Sequence, residues 1–132
     1  MTVTFFDRRD LGNPLNGSEL DSVLDLEIAL GGPAEREQFV CELVAPDGRT
    51  LWIGLDVECG YVQYRAGNGL PTRLMAGARG SWHAEGSTEL SLGDTPTVIS
   101  NRYRLPRSLV LETAAFFLRT GGLNPDVTWD AI

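Results

Sequence analysis

The stretch Phe39-Val40-Cys41-Glu42-Leu43-Val44-Ala45-Pro46-Asp47-Gly48-Arg49-Thr50-Leu51-Trp52-Ile53-Gly54-Leu55 decides the fold. Phe39, Cys41, Leu43 and Ala45 alternate with Gln38, Val40, Glu42 and Val44, the period-two pattern of a strand. Pro46-Asp47-Gly48-Arg49 is a reversal with a mechanism, because proline presets φ and Asp-Gly accepts a positive one. Residues 51–55 return as a second strand and close a hairpin. A further reversal at Val57-Glu58-Cys59-Gly60 leads into Tyr61-Val62-Gln63-Tyr64-Arg65. Successive strands joined by short turns form a meander, and a meander makes an antiparallel sheet.

Before this stretch, residues 2–6 are β-branched and aromatic and read as a first strand. Ser18 follows the turn cluster Asn13-Pro14-Leu15-Asn16-Gly17 and is expected to cap a helix, with Asp21 three residues on. Leu20, Val23, Leu24, Ile28 and Leu30 give that helix an apolar stripe, and Gly31-Gly32-Pro33 ends it. After the meander, glycines at 60, 67, 69, 77, 80 and 86 break the chain into short pieces around Trp82. Residues 72–76 and 89–92 are expected to extend the sheet, with Gly93-Asp94-Thr95-Pro96 as a turn and residues 97–100 as another edge. Pro106 suits the first turn of a second helix over residues 108–119, with Leu109, Val110, Ala114, Phe117 and Leu118 facing the core. Gly121-Gly122 stops it, and Val127-Thr128-Trp129 reads as a last strand containing a buried tryptophan. The expected fold is α+β: one domain over residues 1–132, an antiparallel meander sheet packed by two helices.

The 132 residues include 11 basic and 18 acidic ones, a formal net charge of −7. Every basic residue is arginine. Such a chain is not built to hold nucleic acid non-specifically or to dock on an anionic membrane, but it suits a basic protein partner. Cys41 and Cys59 stand too far apart for a Cys-x-x-Cys pair and come with a single histidine, so neither a metal nor a cofactor is expected. Reduced thiols, no apolar run long enough for a bilayer and no signal-peptide pattern lead to an expected cytoplasmic location.

His83 and Glu85 in Trp82-His83-Ala84-Glu85 would share one face of a strand and could exchange a proton. No local sequence marks a nucleophile for them, since Gly-x-Ser-x-Gly is absent. Gly67-Asn68-Gly69 is followed by Leu70-Pro71 rather than a helix start, so it is a turn and not a phosphate cradle. The arginines of Arg102-Tyr103-Arg104-Leu105-Pro106-Arg107 read as a solvated helix entrance paired with nearby carboxylates. Asp56 and Glu58 flank the reversal after residues 51–55 and read first as a solvated turn; with Tyr61 and Tyr64 on the strand that follows they would otherwise form an acidic and aromatic patch suited to a basic partner.

The run Trp52-Ile53-Gly54-Leu55-Asp56-Val57-Glu58-Cys59-Gly60-Tyr61-Val62-Gln63-Tyr64 resembles the "hydrophobic-Gly-Val-Asp-x-x-x-Gly-x-Leu-x-Tyr" hairpin of bacterial polymorphic-toxin immunity proteins, immunity protein family one. Leu105-Pro106 and the run Phe116-Phe117-Leu118-Arg119-Thr120-Gly121-Gly122-Leu123-Asn124-Pro125-Asp126-Val127-Thr128-Trp129 are similar to that family's ending: a "Val-Pro" helix start, "Phe-Leu-x-Thr-Gly", then "Pro-x-x-Val-x-Trp". Between them the chain departs, reading Glu89-Leu90-Ser91-Leu92-Gly93-Asp94 where the family often carries an aromatic strand. The resemblance implies a non-catalytic protein that binds and neutralises a cognate toxin domain, in several cases a nucleic-acid deaminase, by occluding its active site. The expected contact residues are Asp56, Glu58, Tyr61, Tyr64, Trp82, His83 and Glu85, and the free chain is expected to be a monomer or weak dimer. The competing readings are a small enzyme using His83 and Glu85 and a homodimeric interaction module.

Overall fold

Gly48 sits at φ 90° in the first hairpin turn, a conformation that other residues adopt only with strain. Its N–H donates to the Ala45 carbonyl at 2.9 Å, and Ala45 N–H donates to the Arg49 carbonyl at 2.8 Å. The reversal expected from Pro-Asp-Gly therefore forms, and the strands on either side pair from Phe39↔Leu55 to Val44↔Thr50. The structure is a computed structural model describing residues 2–8, 10–31, 39–55, 59–67, 72–78, 87–92 and 95–132.

The strands are β1 (Val3–Asp7), β2 (Glu19–Leu20), β3 (Phe39–Val44), β4 (Thr50–Leu55), β5 (Cys59–Arg65), β6 (Arg73–Ala78), β7 (Ser87–Leu92), β8 (Thr95–Ser100), β9 (Leu105–Pro106) and β10 (Val127–Ala131). The helices are α1 (Val23–Gly31) and α2 (Arg107–Thr120). An eight-stranded antiparallel sheet runs β10-β6-β5-β4-β3-β1-β2, with β9 paired to β5 beside it. The expected α+β class and antiparallel meander are thus what the chain forms. β7 and β8 do not extend this sheet as expected; they pair with each other as a separate hairpin. Thr95 and Pro96 belong to β8, opposite Leu92 and Ser91, and not to the turn read from sequence, whose Gly93 and Asp94 lie outside the described residues.

Register separates the two faces of the sheet. Val3, Phe5, Cys41, Leu43, Leu51, Ile53, Val62, Ala76 and Val127 turn to one side and form a continuous core with both helices. α2 supplies Val110, Ala114, Phe117 and Leu118 to it, as its periodicity predicts, while Leu109 is only partly buried. Full burial of a side chain such as Phe5 or Phe117 contributes about 1.5–3 kcal/mol. Pro106 caps α2 from outside, pairing with Cys59 across β9 and β5, rather than occupying its first turn. At the other end Gly121 takes the left-handed conformation at φ 72° and donates to the Phe117 carbonyl at 2.7 Å.

α1 departs from its sequence reading in both start and face. Glu19 and Leu20 pair with Thr4 and Val3 as a strand, and the helix opens after Ser22, whose Oγ accepts from Asp25 N–H at 3.1 Å. Leu26, Ala29 and Leu30 face the core, whereas Leu24 and Ile28 are 64% and 59% exposed. Apolar residues lie all around this short helix, so tertiary contact with α2 rather than periodicity selects the buried face.

Trp129 is partly buried, not enclosed; its indole N–H donates to the Asn124 carbonyl at 3.0 Å. Asn124 is itself buried and donates to Thr113 Oγ1 at 3.1 Å, tying the segment after α2 back onto the helix. Cys41 and Cys59 are buried and form no disulfide.

Candidate binding groove

Opposite the helices the sheet presents a second face. The pairs Val40↔Gly54, Glu42↔Trp52, Trp52↔Gln63, Gly54↔Tyr61, Gln63↔Met75 and Arg65↔Arg73 bring their residues to it from adjacent strands. Ile99 at the end of β8 and Tyr103 in the short 3-10 turn Asn101–Tyr103 pack against Tyr61 and Met75 and raise a wall over this face. Between wall and sheet lies a groove of 610 Å³, within the range of ordinary ligand pockets.

Trp52 forms the floor. The Arg65 guanidinium lies 3.5 Å from the centre of its ring, a close cation–π stack. Arg65 Nε also donates to Gln63 Oε1 at 2.7 Å, which orients the planar fork. Burial and then the neighbouring Arg73 charge lower the Arg65 pKa, with Glu42 acting in the opposite sense. Glu42 is engaged elsewhere, by Arg8 at 2.8 Å, and that hydrogen bond raises the Arg8 pKa. The Trp52 indole N–H is buried without a hydrogen-bond partner among the described residues. Tyr61 Oη donates to Asn101 Oδ1 at 3.0 Å and fixes the wall to the sheet.

Among the seven residues expected from sequence to contact a partner, the structure separates the two it describes. Tyr61 is buried on the groove face, whereas Tyr64 is packed against the core on the helix face. They are three apart on one strand and so point to opposite sides. Asp56, Glu58, Trp82, His83 and Glu85 lie outside the described residues, as does the paired-carboxylate turn. At the arginine-rich entrance to α2, Arg102 is exposed and pairs with Asp130 at 3.0 Å as expected, whereas Arg104 and Arg107 are half-buried and Arg107 donates to the Leu30 carbonyl at 3.4 Å.

Sequence reasoning missed Trp52, Arg65 and Arg73 as a group. The available signal was the meander itself, whose register, once drawn, places Trp52 beside Gln63 and Arg65 opposite Arg73. The groove can hold an apolar or planar group beside an anion. Among the described residues, no group of three or more histidine, cysteine, aspartate or glutamate side chains could hold a metal ion. Among those residues too, no helix is long and apolar enough to cross a membrane. No protein-family model matches the chain, and no curated protein matches it in sequence.

Proposed function

We propose that this chain is an immunity protein, which binds a cognate polymorphic-toxin domain one to one in the cytoplasm and occludes its active site without chemistry of its own. The observation that carries this reading is the meeting of the two sequence runs behind the resemblance. The hairpin run ends in β5 and the later run begins at β9, and they join through Gly60↔Leu105 and Cys59↔Pro106. Helix α2 then packs across β4 and β5. The two runs thus build one continuous structural unit, which supports the reading. The charge of −7 adds physical support, because toxins that act on nucleic acid carry basic grooves onto which an acidic inhibitor is steered.

The test is co-expression with the C-terminal domain of the adjacent gene's product, reading both growth and co-purification. Restored growth with a stable one-to-one complex is expected, and tight binding to duplex DNA with no protein partner would overturn the proposal. In the same assay His83→Ala is expected to leave protection intact. Loss of protection at normal fold and affinity would move the function to chemistry at His83.

A further inference from the structure

Arg65 and Arg73 stand directly opposite each other on neighbouring strands. Like charges in that position oppose pairing of the strands unless something of opposite sign lies between them. Among the described residues Arg73 has no carboxylate partner, and its side chain is exposed. Arg65 directs Nε to Gln63 and its flat side to Trp52, which leaves the outer edge of its fork for another acceptor. The same groove is lined by apolar groups that its own chain does not cover: Val98 is 67% exposed and Ile132 is 62% exposed.

We propose that this groove receives a segment of a partner protein presenting an acidic side chain next to an apolar one. The carboxylate spans Arg65 and Arg73, and the apolar side chain lies against Met75, Ile99 and Tyr103. A carboxylate matches the planar guanidinium fork with paired hydrogen bonds, and the Trp52 stack holds that fork ready before anything binds. A small anion would neutralise the arginines but leave Val98 and Ile132 in water, whereas a polypeptide segment covers both kinds of surface. The local sign is opposite to that of the molecule as a whole, so this contact selects an acidic feature on a partner that the rest of the chain attracts by its basic charge. The inference rests on reading the chain as a protein-binding protein and is independent of which protein is bound.

The probe is an acetylated and amidated peptide with Glu-Leu-Phe between Gly-Ser flanks, titrated into the whole protein while the Trp52 indole N–H resonance is followed. Its Gln-Leu-Phe twin and phenylacetate serve as comparisons. The glutamate peptide is expected to shift that resonance and to bind at least about tenfold more tightly than the twin. Arg73→Gln is expected to erase the difference, and Arg119→Gln, at the end of α2, to preserve it. Equal binding of the twins, or no shift at millimolar peptide, overturns the proposal. Phenylacetate binding as tightly as the peptide overturns it in favour of a small-molecule site. Dimerisation of the free protein that Arg73→Gln abolishes replaces the foreign segment with a second copy. Peptide binding without toxin co-purification retains the groove and removes the immunity reading; toxin binding unaffected by Arg73→Gln does the reverse.

Discussion

Gly60 has no room for a methyl group: a Cβ there would sit 2.3 Å from the Gly54 carbonyl oxygen and 3.2 Å from Val110 Cγ2. The first neighbour is backbone within the same sheet and cannot swing aside. Gly60→Ala is therefore expected to destabilise the fold by about 3 kcal/mol, at the upper end of ordinary overpacking, as read by urea denaturation. An unchanged midpoint would mean that β5 and α2 are less tightly seated than their contacts indicate. Cys41 shows a different consequence of burial. Desolvation, with the charges of Asp7 and Glu42, raises its thiol pKa well above the ordinary 9.0. As pH rises, the unfolded chain loses this proton first, so the folded state binds more protons and stability falls through the window above about pH 9. The slope reaches about 1.4 kcal/mol per pH unit within that window. Urea midpoints from pH 8 to 10 are expected to fall more steeply for the wild type than for Cys41→Ala, and parallel slopes would refute the assignment.

At the scale of elements, α1 gives the sharpest contrast between pattern and packing. Leu26→Ala is expected to cost about 2–5 kcal/mol because it opens a cavity beneath the helix. Ile28→Ala, on the exposed side, is expected to stay within about 0.5 kcal/mol. Paired thermal melts of the two variants check the orientation, and the reverse order would restore the face inferred from spacing. The meander was legible because alternation and turn chemistry agree locally: Pro46-Asp47-Gly48 can do little but reverse the chain. α2 was legible because a proline opens it, a glycine closes it and its stripe is clean. The place of β7 and β8 was not legible, since a strand pattern states which residues alternate and not which partner they find. The groove was half legible for the same reason. Tyr61 could be singled out from sequence, but its union with Asn101 depends on a contact forty residues along the chain.

Over the whole molecule, charge is unevenly arranged: a net −7 surrounds a groove that exposes opposed arginines. Long-range attraction and close-range fit can then be separated by experiment. Asp56→Asn combined with Glu58→Gln is expected to slow association with the proposed toxin partner and to flatten its salt dependence while leaving the melting temperature nearly unchanged. Rates identical to wild type at every salt concentration would place the interface elsewhere. The order in which the layers follow one another along the chain has a further consequence. Every strand of the meander precedes Arg107, yet the helix that packs across β4 and β5 occupies residues 107–120. A ribosome making this protein thus extrudes Leu51, Ile53 and Val62 long before Phe117 and Leu118 exist to shield them. The nascent chain is expected to spend that interval as a chaperone client. Slowing translation between β6 and α2 should accordingly raise the insoluble fraction above that of an unslowed chain.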